Sequence, residues 1–168
     1  MGNISSIHPA IPALARSALG PVALGIIVGG LTAGIVDIFA ASAINHLGPG
    51  VILQAIASGL LGRASFSGGP LTMGLGLLLQ VAMSLIIAAI YGLASVRLPV
   101  LVRRPVAFGA LFGVGVFIVM NFVVVPLSAA VHPKHPPSVA TIVLNLDAMI
   151  LFGLIVALAQ SLMAARRR

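Results

Sequence analysis

Four long apolar runs, separated by short polar segments rich in proline and arginine, dominate the chain. They cover about residues 22–44, 71–96, 106–127 and 139–165. A helix that crosses a bilayer needs ~20 apolar residues, and each run is long enough. Pro105 and Pro126 bound the third run, and Ser138 is placed as an N-cap of the fourth. The pattern predicts an all-α fold: an integral membrane four-helix bundle that forms a single membrane domain over residues 1–168.

A shorter apolar run follows the first predicted span. It covers Pro49–Leu61, about 13 residues, and is too short to cross a membrane. Pro49 suits a helix start, and Gly62 suits a helix end. We expect a short helix there that lies in the outer interface or re-enters the bundle.

Composition supports a membrane protein and excludes other classes. Apolar residues make up 60% of the chain and charged residues 7%, whereas soluble domains carry about 25% charged residues. Disordered chains are poor in apolar residues, so disorder is excluded as well. The chain has no cysteine, and therefore no disulfide or cysteine-ligated metal. Its net charge of +7 comes from short basic clusters between the apolar runs, which argues against a nucleic-acid partner.

The basic residues predict the orientation of the spans. Seven of the nine fall on one side of the predicted bundle: Arg16, Arg97, Arg103, Arg104 and the three arginines at 166–168. Only Arg63 and Lys134 fall on the other side. Because lysine and arginine accumulate in cytoplasmic loops, we expect a multi-pass protein of a bacterial inner membrane with both termini in the cytoplasm.

Small residues recur at every fourth position in three of the spans. These stripes are Gly25, Gly29 and Ala33, with Gly30 and Gly34 beside them; Gly76, Gln80, Ser84, Ala88 and Gly92; and Gly109, Gly113, Phe117 and Asn121. Such stripes let membrane helices approach closely. They predict tight packing within one bundle or, alternatively, a homodimer face. Besides the lipid bilayer, the expected partners are therefore further copies of the chain or a larger membrane complex.

The chain has two carboxylates, Asp37 and Asp147, and both fall inside predicted spans. At about 1.5 Å per residue, each lies roughly 12 Å from the outer end of its span. Gln80 and Asn121 fall at similar depths, about 13 Å and about 10 Å. One polar residue from each span thus predicts a polar membrane layer in the outer half of the bundle.

Ser84 and Asn145 are secondary members of this layer. Asn145 and Asp147 are two positions apart, so they point in nearly opposite directions and cannot both face the interior.

Three interpretations of the layer stay open. It can be a hydrogen-bonded network that fixes helix register, with Asp37 or Asp147 protonated. It can be a site for a proton, a cation or a small solute that opens to the outside. It can also coordinate lipid headgroups. No cationic residue lies deep enough in a span to pair with either aspartate, which favours protonation or an external cation.

Other candidate chemistry is weak. His46, His132 and His135 all fall in predicted outer loops, where they can form an open metal site, sense pH or simply be solvated. No phosphate loop, dinucleotide fingerprint or zinc-protease motif is present. No histidine shares the depth of Ser84, so a serine nucleophile would lack a base. We expect no enzyme activity, no cofactor and no metal.

The second and third spans carry a residue pattern similar to a known family. The pattern comprises Gln80, Ser84, Ala88, Tyr91, Pro99, Gly113, Asn121 and Pro126, within about residues 72–133. It resembles the YagU-type family of bacterial inner-membrane proteins, also described by the domain of unknown function DUF1440. The resemblance implies a polytopic inner-membrane protein and no particular reaction. The family has histidine where this chain has Gln80 and Asn121, which argues against transferring a histidine proton relay.

Two functional hypotheses follow. The chain is a small polytopic membrane protein with an outward-facing polar site for a proton, cation or small solute, or it is a purely structural or accessory membrane subunit.

Overall fold

The computed structural model describes residues 13–131 and 136–166, with side chains from Gly20 onward, and this part of the chain is made of helices joined by short turns. The helices are α1 (Ala13–Asn45), α2 (Pro49–Leu61), α3 (Gly69–Arg97), α4 (Val100–Arg103), α5 (Pro105–Val119), α6 (Val125–Leu127) and α7 (Val139–Ala165). A 3₁₀ segment, Gly62–Ser67, follows α2, and a π-helical segment, Met120–Val124, joins α5 to α6.

Four of the helical stretches are long and apolar enough to cross a membrane. They are Gly20–Asn45, Gly69–Arg97, Pro105–Leu127 and Val139–Ala165. The predicted all-α membrane bundle is confirmed, and each predicted span lies within two residues of the observed one. The Ser138 cap is also confirmed, because its hydroxyl accepts the Thr141 backbone N–H at 3.1 Å.

The first and last spans form the centre of the bundle. α1 packs along α7, α3 packs on the other side of α1, and α5 packs on the other side of α7. The order across the bundle is therefore α3, α1, α7, α5. The buried core lies where these helices meet, and includes Ala33, Ala88, Tyr91, Phe152 and Val156.

Glycines set the distance between neighbouring spans. A Cβ on Gly29 would lie 3.3 Å from the Cα of Val156 in α7, and a Cβ on Gly30 would lie 3.2 Å from the Cβ of Ala88 in α3. A Cβ on Gly113 would overlap the backbone of Ile150. The small-residue stripes thus serve packing within this chain.

α2 packs against the N-terminal half of α3, as a short helix that does not cross the bundle. Gly76 of α3 lies directly against the Leu53 backbone. The Gln54 amide donates to the Thr72 hydroxyl at 3.4 Å. On its other side, the Gly59 carbonyl accepts the Ala129 N–H at 2.9 Å. We call this end of the bundle the α2 end.

The opposite end carries four described arginines: Arg97, Arg103, Arg104 and Arg166. We call it the basic end. All four side chains are exposed.

The third span widens into a π-helical turn just before Pro126. The Val125 N–H bonds to the Met120 carbonyl, five residues back. Proline lacks an N–H and clashes with the carbonyl four residues before it, so a helix at proline must bend or widen. The wider turn lets the span continue to Leu127.

Candidate functional site

A pair of polar side chains, Asp37 and Gln80, connects α1 to α3 inside the spanning region. The Nε2 of Gln80 donates to the Oδ2 of Asp37 at 2.9 Å and to the Gly34 carbonyl at 3.2 Å. Both side chains are half-buried. Two of the four residues of the predicted polar layer therefore meet across a helix interface.

Gly34 makes this contact possible. A Cβ on Gly34 would come within 3.0 Å of the Ser84 Cβ, so glycine lets α3 approach the α1 backbone at this level. Ser84 itself is buried beside the pair. Asp37 lies eight residues before the end of α1, or about 12 Å inside the α2 end.

Asp147 lies at the same level as Asp37 but on another face. Gly25 of α1 faces Gln160 of α7, and Gly29 faces Val156. The two helices are antiparallel, so the same pairing continued toward the α2 end places Asp37 opposite Ala148. Asp147, one residue earlier, is exposed and makes no side-chain hydrogen bond within the described residues. The structure does not bring the two carboxyl groups together in one chain.

The two asparagines bond to their own helices. The Asn121 amide donates to the Phe117 carbonyl at 2.9 Å, and its side chain is exposed beside the π-helical turn. The Asn145 amide donates to the Thr141 carbonyl at 2.8 Å and is half-buried. Neither asparagine forms a hydrogen bond with Asp37 or Gln80.

Only one of the three histidines predicted to lie in outer loops is within the described residues. His46 is exposed, with a positive φ of 54°, just after α1. His132 and His135 lie outside the described residues. Among the residues that are described, no cluster of three histidine or acidic side chains is placed to hold a metal.

Gln160 is a buried polar residue that the sequence analysis missed. Its amide lies between Gly25 of α1 and Gly92 of α3 and donates to the Val22 carbonyl at 3.3 Å. Only 2% of its surface is exposed. The small-residue stripes of α1 and α3 could have indicated it, because glycines at matching depth on two neighbouring helices leave room for one long side chain. A cavity of about 270 Å³ opens beside it toward the basic end.

A second missed feature is an apolar cleft between α3 and α5. These helices are joined at the basic end by Tyr91, whose ring meets Phe112 edge-on at 5.0 Å and whose hydroxyl donates to the Leu101 carbonyl at 3.1 Å. Elsewhere α3 and α5 stay apart and leave a cavity of about 610 Å³. Its walls are aliphatic and aromatic side chains from Met83 to Leu98 on one side and from Phe108 to Val124 on the other.

Comparison with protein-family models, curated proteins and solved structures finds no match for the chain. The resemblance to the YagU-type family stays a prediction from its residue pattern. The fold and its polar contacts define the class: a helical membrane protein with four spans, a short helix at one end and a carboxyl–amide pair between its first two spans.

Proposed function

We propose that the protein holds a proton or a small cation at Asp37, in a polar site that opens toward the α2 end. The observation that supports this proposal is the hydrogen bond from Gln80 to Asp37 inside the spanning region. An ionisable side chain at such depth costs about 2.5–3.5 kcal/mol on insertion scales, and such residues usually serve ion or proton pathways.

Within the described residues, the helices around Asp37 supply no counter-ion for its charge. α2 has no ionisable side chain, and the one charged residue of α3, Arg97, is at the far end of that helix. α7 contributes only Asp147, which points elsewhere. Gln80 supplies a donor that suits a carboxylate or the carbonyl oxygen of a neutral acid. The other carboxyl oxygen has no hydrogen-bond donor among the described residues, so it can take a proton or a cation.

We also propose that the basic end faces the cytoplasm of a bacterial inner membrane. The exposed arginines at that end agree with the positive-inside rule. The Asp37 site then faces the outside.

Thermal stability in detergent, measured across pH and sodium concentration, tests the site. The parent, Asp37→Asn and Asp147→Asn are compared, because asparagine keeps the shape and hydrogen-bonding capacity of a neutral acid. We expect Asp37→Asn to fold normally and to lose part of the parent's pH or sodium dependence. Asp147→Asn should keep the parent's profile. If the parent and Asp37→Asn show the same dependence of thermal stability on pH and on sodium, the proposal is wrong.

A second candidate function is that of an accessory subunit, and the exposure of Asp147 favours it. The neighbours of Asp147 on the same face, Leu144 and Leu151, are also exposed, as expected for a surface in contact with lipid or a partner. A partner that covers this face would spare the carboxyl group from lipid. Mass measurement of the purified protein should then show an assembly that Asp147→Leu dissociates and that Ile142→Ala, an exposed position on another face of α7, does not. A monomer in every case would contradict this function.

A further inference from the structure

We propose that the cleft between α3 and α5 binds one anionic phospholipid, with an acyl chain in the cleft and the phosphate on the arginines of the basic end. This inference does not depend on the Asp37 site, because neither Asp37 nor Gln80 lines the cleft.

The cleft has the character of a hydrocarbon site. Its floor is formed by Ile87, Tyr91, Phe112 and Val116, and its rim by exposed side chains such as Ile90. The Tyr91 hydroxyl is already bonded to the Leu101 carbonyl. A volume of about 610 Å³ is within the range of ~300–1,000 Å³ typical of small-molecule sites. The lining therefore offers an occupant apolar contact and almost no hydrogen bonding.

The length and lining of the cleft suit an acyl chain. From Met83 to Leu98 the cleft runs about 22 Å, which exceeds the ~15 Å that one leaflet contributes to the hydrocarbon core. A lipid tail can therefore lie along the cleft in contact with its aliphatic and aromatic side chains.

Charge at the basic end identifies the headgroup. Arg97 follows Ala94 by three residues and Ile90 by seven, so it continues the cleft face of α3 by one turn. Arg104 precedes Phe108 by four residues, and its carbonyl accepts the Phe108 N–H at 3.2 Å. Both walls of the cleft thus end in an arginine, with Arg103 beside them.

These arginines have no acidic side chain to neutralise them. The chain's two carboxylates, Asp37 and Asp147, lie toward the other end of their spans. Arginine is well suited to phosphate, which it can bind through two parallel hydrogen bonds. An anionic phospholipid accounts for both the unneutralised arginines and the apolar cleft, because its phosphate can bind the arginines while its acyl chain lies in the cleft.

Native mass spectrometry of the full chain in detergent tests the proposal. Phosphatidylglycerol is compared with phosphatidylcholine that has the same acyl chains. We expect one phosphatidylglycerol to bind more tightly than phosphatidylcholine. The double variant Arg97→Gln with Arg104→Gln should weaken phosphatidylglycerol binding about thirtyfold, because each basic residue near an anionic surface contributes about 1 kcal/mol. Arg63→Gln, at the α2 end, should bind like the parent.

A matched pair of glycines tests the cleft itself. Gly115 lines the cleft, Gly74 lies on the lipid-facing side of α3, and neither would bring an added Cβ within 4 Å of a neighbour. Gly115→Leu should fill the cleft and abolish the single bound lipid, while Gly74→Leu should keep it. Both variants should keep the parent's helicity.

Three results would overturn the proposal. The first is equal affinity for the two lipids, and the second is parental binding by Gly115→Leu. The third is an oligomer that Gly115→Leu alone dissociates, since another copy of the chain would then cover the cleft.

Discussion

The amide of Gln80 on α3 and the carboxyl group of Asp37 on α1 form a hydrogen bond of 2.9 Å between two membrane-spanning helices. Asp37 has no other side-chain partner within the described residues, and Gln80 bonds only to Asp37 and the Gly34 carbonyl. The two side chains should therefore contribute to stability as a unit.

A double-mutant cycle of Asp37→Ala and Gln80→Ala measures this unit. We expect a coupling free energy of about 0.6 kcal/mol, typical of hydrogen bonds between membrane helices, and not more than about 1.7 kcal/mol. The measurement is the free energy of unfolding by denaturing detergent in mixed micelles. Asn121→Ala replaces Gln80→Ala in the control cycle, because Asn121 bonds to its own helix. Strictly additive effects of Asp37→Ala and Gln80→Ala would show that the bond does not form in the folded protein.

Gly113 and Gly115 provide a matched test of the α5–α7 interface. A Cβ on Gly113 would overlap the α7 backbone, whereas a Cβ on Gly115 has open space. We expect Gly113→Ala to lower the free energy of unfolding by about 1–3 kcal/mol, a typical cost of overpacking. Gly115→Ala should leave it unchanged or raise it slightly, because alanine is the better helix former. Equal effects of the two substitutions would show that α5 is rotated away from the orientation described.

Gly25 and Gln160 should be coupled through space. A Cβ on Gly25 would lie 2.7 Å from the Gln160 side-chain oxygen, so Gly25→Ala must displace the glutamine. We expect Gly25→Ala to destabilise the parent and to be nearly neutral in a Gln160→Ala background, where the space is vacant. The expected coupling is about 0.5–3 kcal/mol, as for residues in direct contact. The same loss of stability in both backgrounds would place Gln160 elsewhere.

Reporter fusions test the proposed orientation. A fusion after Arg168 should score as cytoplasmic and a fusion near Lys134 as external, because seven of the nine basic residues are on the side of the termini. A fusion near Arg103 is the internal control and should match the one after Arg168. The reverse pattern would turn the Asp37 site toward the cytoplasm and move the arginine-lined mouth of the cleft to the outer leaflet.

The span limits and α2 were predictable from the sequence because bilayer thickness fixes both. A run of 13 apolar residues cannot cross about 30 Å of hydrocarbon, and runs of 23 or more can. The Asp37–Gln80 contact followed in part from depth, since each residue lies on or next to a small-residue stripe. Depth along a span is simple to count, and stripes indicate which face is buried.

The rotation of each span about its own axis, and the order in which the spans pack side by side, could not be predicted in this way. α7 is apolar all round, so its hydropathy does not say whether Asn145 or Asp147 faces inward, and the structure leaves Asp147 exposed. Lipid is as apolar as leucine, so the sequence does not reveal that α3 and α5 lie apart. The cleft arises from that arrangement, and no single residue signals it.

The central position of α1 and α7 has a consequence for biogenesis. The spans enter the membrane in order, yet Gly25 and Gly29 of the first and Gly109 and Gly113 of the third all pack against the fourth. Until α7 is inserted, α1 and α3 can pair, but α5 has no partner for its glycine face. The bundle can therefore be completed only when the last span is in place, and a chain that lacked α7 would leave the glycine face of α5 uncovered.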